Sequence, residues 1–170
     1  PAAEYPAALL TLDGEMLVRS KHEKRRIKAS DFFKGIMDTA IEPNELLVEI
    51  IVPKVPPGTG FAFAEISRRH GDYALAGIAA QITLSGKTVT NVRLAACGVG
   101  PCPIRLNDAE KQIVDDGLTE KSIQSAAKAA ALETDPETDL HATADYRRRL
   151  TAVLTQQALL KANERAQEIN

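Results

Sequence analysis

The chain changes character once, near Asn107, and that change restricts the fold more than any other feature. Before it, short apolar runs alternate with turn residues; after it come Ala-rich segments preceded by capping residues. Strands gathered first and helices gathered afterward point to the α+β class, an antiparallel sheet carrying a layer of helices. Residues 61–66, 74–84 and 89–99 predict a three-stranded meander. In the last of these Val92, Leu94 and Ala96 alternate with Arg93, Ala95 and Cys97, and Ser85-Gly86-Lys87 supplies the turn before it.

Upstream, Ala8-Leu9-Leu10-Thr11-Leu12 and Glu15-Met16-Leu17-Val18-Arg19 flank Asp13-Gly14, a spacing that predicts a hairpin. Ser30 is placed to cap a short helix holding Phe32, Phe33 and Ile36. Residues 46–52 are apolar and β-branched and stop at Pro53, which predicts a buried strand. Val55-Pro56-Pro57-Gly58 inside 54–60 is turn chemistry and the best seam between two units. On the helical side, Asn107 with Glu110 resembles a capping box, and Thr119 is placed to cap a helix running to about Leu132. Asp135-Pro136 breaks the pattern, and Thr143 is placed to cap a long last helix. Tyr146, Leu150, Val153, Leu154 and Leu160 predict its apolar face.

Several function classes are disfavoured. A net charge of -2 exerts no general pull on phosphate backbones, and 4% aromatic residues with no Trp provide little surface for stacking bases, so nucleic acid is not an expected partner. No run approaches the roughly 18 apolar residues of a membrane span, and the first residues have no secretory pattern, so the expected compartment is cytoplasmic. Cys97 and Cys102 have no second pair to complete a metal-ligand set and read as reduced, mostly buried thiols; His22, His70 and His141 lack ligand spacing. No protein metal site is expected. Nor does any Ser/His/Asp, Cys/His or paired-carboxylate arrangement suggest a catalytic residue.

One stretch is far more specific. Phe61-Ala62-Phe63-Ala64-Glu65-Ile66-Ser67-Arg68-Arg69-His70-Gly71-Asp72-Tyr73-Ala74 is similar to the R-R-x-G-D-[FY]-A segment of the FAD-binding (medium) subunit of molybdenum hydroxylases of the carbon monoxide dehydrogenase and xanthine dehydrogenase type. Further matches follow in order. Pro1-Ala2-Ala3-Glu4-Tyr5-Pro6 resembles D-P-A-A-[DE]-x-P in that family, and Asp31-Phe32-Phe33, Glu45-Leu46-Leu47, Gly98-Val99-Gly100-Pro101 with Pro103-Ile104-Arg105, Ala109-Glu110 and Tyr146-Arg147-Arg148 continue the likeness. The resemblance implies that residues 1–55 are the tail of an FAD-binding subdomain and 61–168 a flavoprotein C-terminal domain. The Gly-rich loops that cradle the FAD pyrophosphate lie upstream in such subunits, so the chain is expected to be a C-terminal fragment that retains FAD poorly by itself. The molybdenum cofactor is implied on a large partner subunit and 2Fe-2S clusters on a small one. FAD would then pass electrons from the clusters to an external acceptor. The alternative is an assembly module that keeps the fold without FAD.

Within that resemblance Tyr73 would stand against the isoalloxazine ring, where an aromatic side chain excludes water. Asp72 would either hydrogen-bond the flavin or fix the Arg-Arg turn. Arg68 and Arg69 would oppose negative charge on the flavin or form a solvated, salt-bridged turn. Relatives often carry Lys near positions 64 and 65, whereas this chain has Ala64 and Glu65, so Glu65 either meets the cofactor or faces solvent. Glu4 matches a cofactor-contacting acid, and Leu47 matches an apolar residue near the cofactor or is plain strand core. Arg147-Arg148-Arg149 reads as a solvated helix start.

Overall fold

A computed structural model describes residues 2–169; Pro1, the first residue of the Pro1-to-Pro6 stretch, lies outside them. The strand-rich and helix-rich parts meet near Asn107, as the sequence pattern predicts. Strands β6 (Thr59–Ser67), β7 (Ala74–Ser85), β8 (Thr88–Cys97) and β9 (Ile104–Arg105) form an antiparallel sheet in that order. Helices α3 (Asn107–Asp116), α4 (Glu120–Leu132) and α5 (Ala144–Glu168) cover one of its faces. Ile78, Ile82, Leu94 and Ala96 alternate onto that face and meet Ile113, Leu154 and Leu159. Helix α5 approaches β6 so closely that a Cβ on Gly60 would come within 2.0 Å of the Ala162 carbonyl oxygen, so the contact requires glycine.

The other face is covered by the N-terminal part. Helix α1 (Glu4–Thr11) lays Ala7 and Leu10 against Ala79, Ala95 and Cys97. Beside it, β1 (Glu15–Arg19) pairs with β2 (Lys24–Lys28) on one side and β5 (Leu46–Ile51) on the other. A single turn of helix, α2 (Ala29–Phe32), leads into the small hairpin of β3 (Phe33–Gly35) and β4 (Asp38–Thr39). Arg25 anchors this part by donating through Nε and Nη2 to the Glu45 carboxylate, each at 2.6 Å, and to the Ala40 carbonyl.

Several expectations are corrected. Residues 8–12 are not a hairpin strand: Ala7, Ala8, Leu9 and Leu10 are good helix formers, and Pro6 falls in the first turn, where its missing N–H is no loss. Asp13-Gly14 closes that helix instead, with Gly14 N–H donating to Leu9 O at 2.8 Å and Asp13 at φ 49°. Ser30 is not a cap; α2 starts at Ala29 after an extended Lys28, and Ile36 projects into solvent beyond it. Strand β5 exists but is not buried, because it is an edge strand whose only sheet partner is β1 and no described element covers Leu46, Val48 and Ile50.

Helix α3 is preceded by Leu106 rather than capped by Asn107; its first N–H groups are met by Glu133, which accepts from Asp108 and Ala109 at 3.0 and 2.9 Å. Thr119 does cap α4, in a box with Ser122, and Thr143 caps α5 by accepting from Tyr146 N–H. The buried face of α5 is Arg147, Thr151, Leu154, Thr155, Ala158, Leu159, Ala162 and Ala166. Tyr146, Val153 and Leu160, expected inward, point to solvent. The close approach at Gly60 selects small residues over large apolar ones for the seam.

Candidate functional site

The Arg-Arg segment forms the turn between β6 and β7, and its geometry centres on Asp72. Tyr73 N–H donates to Asp72 Oδ1 at 3.0 Å, and Arg68 Nη2 donates to Oδ2 at 2.9 Å, with Arg69 Nε 3.7 Å from the same oxygen. Burial pushes the Asp72 carboxyl up, but the Tyr73 N–H and the two guanidiniums outweigh it and hold it below its ordinary value. Gly71 takes φ +79°, which lets the chain reverse. Asp72 therefore fixes the turn, and Arg68 and Arg69 are its salt-bridged partners. Tyr73 follows, 76% exposed, so it is presented outward and is no part of the core.

That ring stands on the wall of a cavity of roughly 410 Å³, shared with Ala2, Ile36, Asp72, Gly98 and Arg147. Segments distant in sequence thus converge: the residues before α1, the β3–β4 turn, the 68–73 turn, the chain just after β8, and the 135–141 segment with the start of α5.

Glu4 and Glu65 form a second grouping. Glu65 on β6, Gly77 on β7 and Cys97 on β8 are register partners on the face toward α1, and Glu4 opens α1. A Cβ on Gly77 would come within 2.7 Å of Cys97 Sγ, so glycine makes room for the thiol. Burial, with the Glu4 charge added, raises the Glu65 carboxyl above its ordinary range. Its Oε2 is sealed from solvent and has no hydrogen-bond partner among the described residues. The expectation that Glu65 either meets the cofactor or faces solvent is sharpened: the side chain is half-buried. Burial first, then Glu65 and Glu4, push the Cys97 thiol up to about 12, so it is a protonated, packed thiol and no nucleophile near neutral pH. Cys102 is also free.

Leu47 lies apart from these groups. It pairs with Val18 across β1 and β5, is half-exposed, and lines none of the cavity at the turn. Plain strand core does not describe it either.

Arg147, expected as part of a solvated helix start, is instead buried. It is 7% exposed; Nη1 donates to Leu75 O at 2.6 Å and to Gly98 O at 3.1 Å, and Nη2 to Asp139 Oδ2 at 2.7 Å. Arg148 and Arg149 do remain at the surface side of the helix. The signal that would have found Arg147 is its register, four residues before Thr151 and eight before Thr155, in the line of small residues that packs inward. Among the described residues no group of His, Cys, Asp or Glu is arranged to hold a metal ion, and no helix is long and apolar enough to cross a membrane.

Comparison with known proteins places this geometry. Residues 61–162 match the family described as CO dehydrogenase flavoprotein C-terminal domain, and residues 1–55 match FAD binding domain in molybdopterin dehydrogenase. The chain is 38% identical over 97% of its length to the 6-hydroxypseudooxynicotine dehydrogenase complex subunit alpha of Paenarthrobacter nicotinovorans, covering 56% of that protein. It is 32% identical over 94% of its length to the carbon monoxide dehydrogenase medium chain of Hydrogenophaga pseudoflava, covering 55% of it. A solved carbon monoxide dehydrogenase from Hydrogenophaga pseudoflava superposes with a TM-score of 0.94 at 33% identity, over 97% of this chain and 57% of that one. The chain thus spans just over half the length of the relatives it matches, in their C-terminal part. With the sheet, its helical cover and the residues of both matched regions in place, the chain belongs to the FAD-binding medium-subunit family of the carbon monoxide dehydrogenase and xanthine dehydrogenase type.

Proposed function

We propose that the chain is the C-terminal part of an FAD-dependent electron-transfer subunit in a molybdenum-containing hydroxylase or dehydrogenase, with Tyr73 packed against the flavin ring. In that reading the subunit works beside a large subunit carrying the molybdenum cofactor and a small subunit carrying 2Fe-2S clusters, in the cytoplasm. Bound FAD supplies the step that accepts electrons from the clusters and delivers them to an external acceptor. The observation that carries the reading is Tyr73, a large aromatic side chain held 76% exposed on a cavity wall by a turn whose every other side chain is engaged in fixing it or in solvent.

The residues fit the ring end of the cofactor. An exposed phenol ring offers a flat apolar face, and the cavity it borders mixes apolar groups such as Ala2 and Ile36 with the polar Asp72. They do not fit the pyrophosphate. Glu4 and Glu65 place like charge near the start of α1, which opposes a phosphate there, and Gly98 and Gly100 lead into β9 and not into a helix. Tyr73 packs and excludes water, and Asp72 orients Tyr73 through the backbone N–H. None of these residues needs to act as an acid or base, so electron flow depends on where the ring is held.

Titrating FAD into the purified 170-residue chain by calorimetry tests the division between ring and pyrophosphate: weak binding or none is expected, and stoichiometric binding with sub-micromolar affinity overturns it. In the complete subunit, Tyr73→Phe is expected to leave flavin content and reoxidation nearly unchanged, whereas Tyr73→Ala is expected to shift the flavin potential or slow reoxidation. A folded Tyr73→Ala protein with unaltered flavin properties refutes the assignment.

A further inference from the structure

Arg147 stands at the junction of everything that frames the Tyr73 cavity. Its guanidinium bonds the carbonyl of Leu75, two residues after Tyr73, and the carbonyl of Gly98, just after β8, both of them residues that line the cavity. The third bond, to Asp139, ties in the 135–141 segment, which also lines the cavity. Gly98 sits at φ +76°, and a Cβ there would come within 2.7 Å of Ala74 O, so the two strand ends pack too closely here for a side chain. The carbonyls of Leu75 and Gly98 lie beyond the regular β7–β8 ladder, whose pairing stops at Gly77 and Cys97. In the β6–β7 ladder Leu75 falls at the register shift, skipped between the Ile66–Ala76 and Ser67–Ala74 pairs, and Arg147 bonds both carbonyls.

Asp139 is held ready for this contact. The N–H groups of Ala142 and His141 donate to it at 2.9 and 2.8 Å, and with Arg147 they depress its carboxyl to about 2, so the anion persists across ordinary pH. A planar fork with donors in fixed directions can reach two carbonyls and a carboxylate at once, which a lysine ammonium on a flexible stem does less well. The Nε of Arg147 is buried without a partner among the described residues, a cost tolerated because the other two nitrogens make these bonds.

We propose that Arg147 is a positioning residue for the cavity: by clamping Leu75 O and Gly98 O to the first turn of α5, it sets where the 68–73 turn holds Tyr73. This rests on the reading above only in calling the object placed there a flavin ring; the clamp itself concerns this chain alone.

The test is hydrogen exchange, read by mass spectrometry, on the 170-residue chain and its Arg147→Lys variant, together with the urea midpoint. Exchange in residues 68–76 and 98–101 is expected to rise about tenfold, with the β7–β8 core near Ile82 and Leu94 unchanged. Faster exchange spread evenly over the sheet, or no local change, overturns the proposal. Should Arg147→Lys fail to fold, Asp139→Asn, whose side chain is at the surface, serves instead: a smaller rise confined to the same two segments supports the clamp, and its absence overturns it. In the complete subunit, Arg147→Lys is expected to alter the visible circular dichroism of bound flavin. If the local exchange rises while both this signal and that of Tyr73→Ala stay as in the parent, the clamp stands and the flavin placement is what fails.

Discussion

Strands β7 and β5 are both apolar, β-rich runs, and they end in opposite environments. β7 buries eleven of its twelve residues because it lies inside a sheet covered on one face by α3, α4 and α5 and on the other by α1. β5 buries none fully: it is an edge strand, and Leu46, Leu47, Val48 and Ile50 stay open to solvent. Apolar composition states a demand for cover, and only neighbouring elements meet it. The contrast teaches that most of the buried core lies under the meander, while the three-stranded sheet buries only Met16, Val18 and Ile27, in a smaller cluster with α1 and α2, and leaves β5 open.

The largest expected difference is between single truncations. Ile78→Ala, at a fully buried site, is expected to cost about 2–5 kcal/mol in urea unfolding. Ile50→Ala is expected to stay within about 0.5 kcal/mol, as surface changes do. Equal losses at both positions break the comparison, since β5 would then be covered in solution. Next in size is backbone accessibility. We propose that 61–168 is a unit able to fold on its own, because it holds the whole core under α3 to α5. Limited proteolysis is then expected to nick first within the exposed 54–57, because residues 58–60 are buried and Thr59 and Gly60 already belong to β6. An earlier cut inside β7 or β8 refutes that boundary. Cluster packing of Ala7 and Leu10 on Ala79 and Ala95 also predicts that the isolated unit unfolds at lower urea than the full chain, because that face loses its cover.

The smallest effect concerns pH. The Arg25 guanidinium, then the Glu42 N–H, hold the Glu45 carboxyl at about 2, down from an ordinary 4.5. A depressed carboxyl contributes stability above its unfolded value and loses it as pH falls through the folded one. The urea midpoint is therefore expected to drop between about pH 4.5 and 2, and Glu45→Gln to flatten that drop. An unchanged pH profile in the variant would place the acid sensitivity elsewhere, for instance at Asp139.

Much of the C-terminal architecture was legible beforehand. The meander, the Ser85-Gly86-Lys87 turn and the caps at Thr119 and Thr143 follow from local rules of alternation and hydrogen bonding, which operate within a few residues. The N-terminal part was less legible for the same reason in reverse. Ala8-Leu9-Leu10 fits helix or strand by composition, and Asp-Gly closes either; the choice was made by the apolar face of β7 and β8, nearly seventy residues away, for example where Thr11 Oγ1 reaches Ala79 O. The candidate site divides along the same line. Its motif residues, Asp72 and Tyr73 above all, were visible as a pattern, but their exposure and the convergence of Ala2, Gly98 and Arg147 around them were not.

By itself, then, the order of residues determined the class of fold, the strands of the meander, two helix caps and the family to which the turn sequence points. Only the tertiary structure decided that α1 is a helix, that β5 is left open, that Glu65 is half sealed beside Glu4 and Cys97, and that Arg147 is buried while Arg149 is solvated. The physical reason is range. Hydrogen-bond geometry and side-chain period act along a few residues of chain, whereas burial depends on which distant surfaces arrive. An arginine with two carbonyls and a carboxylate waiting for it is buried, and an identical one two residues away is not.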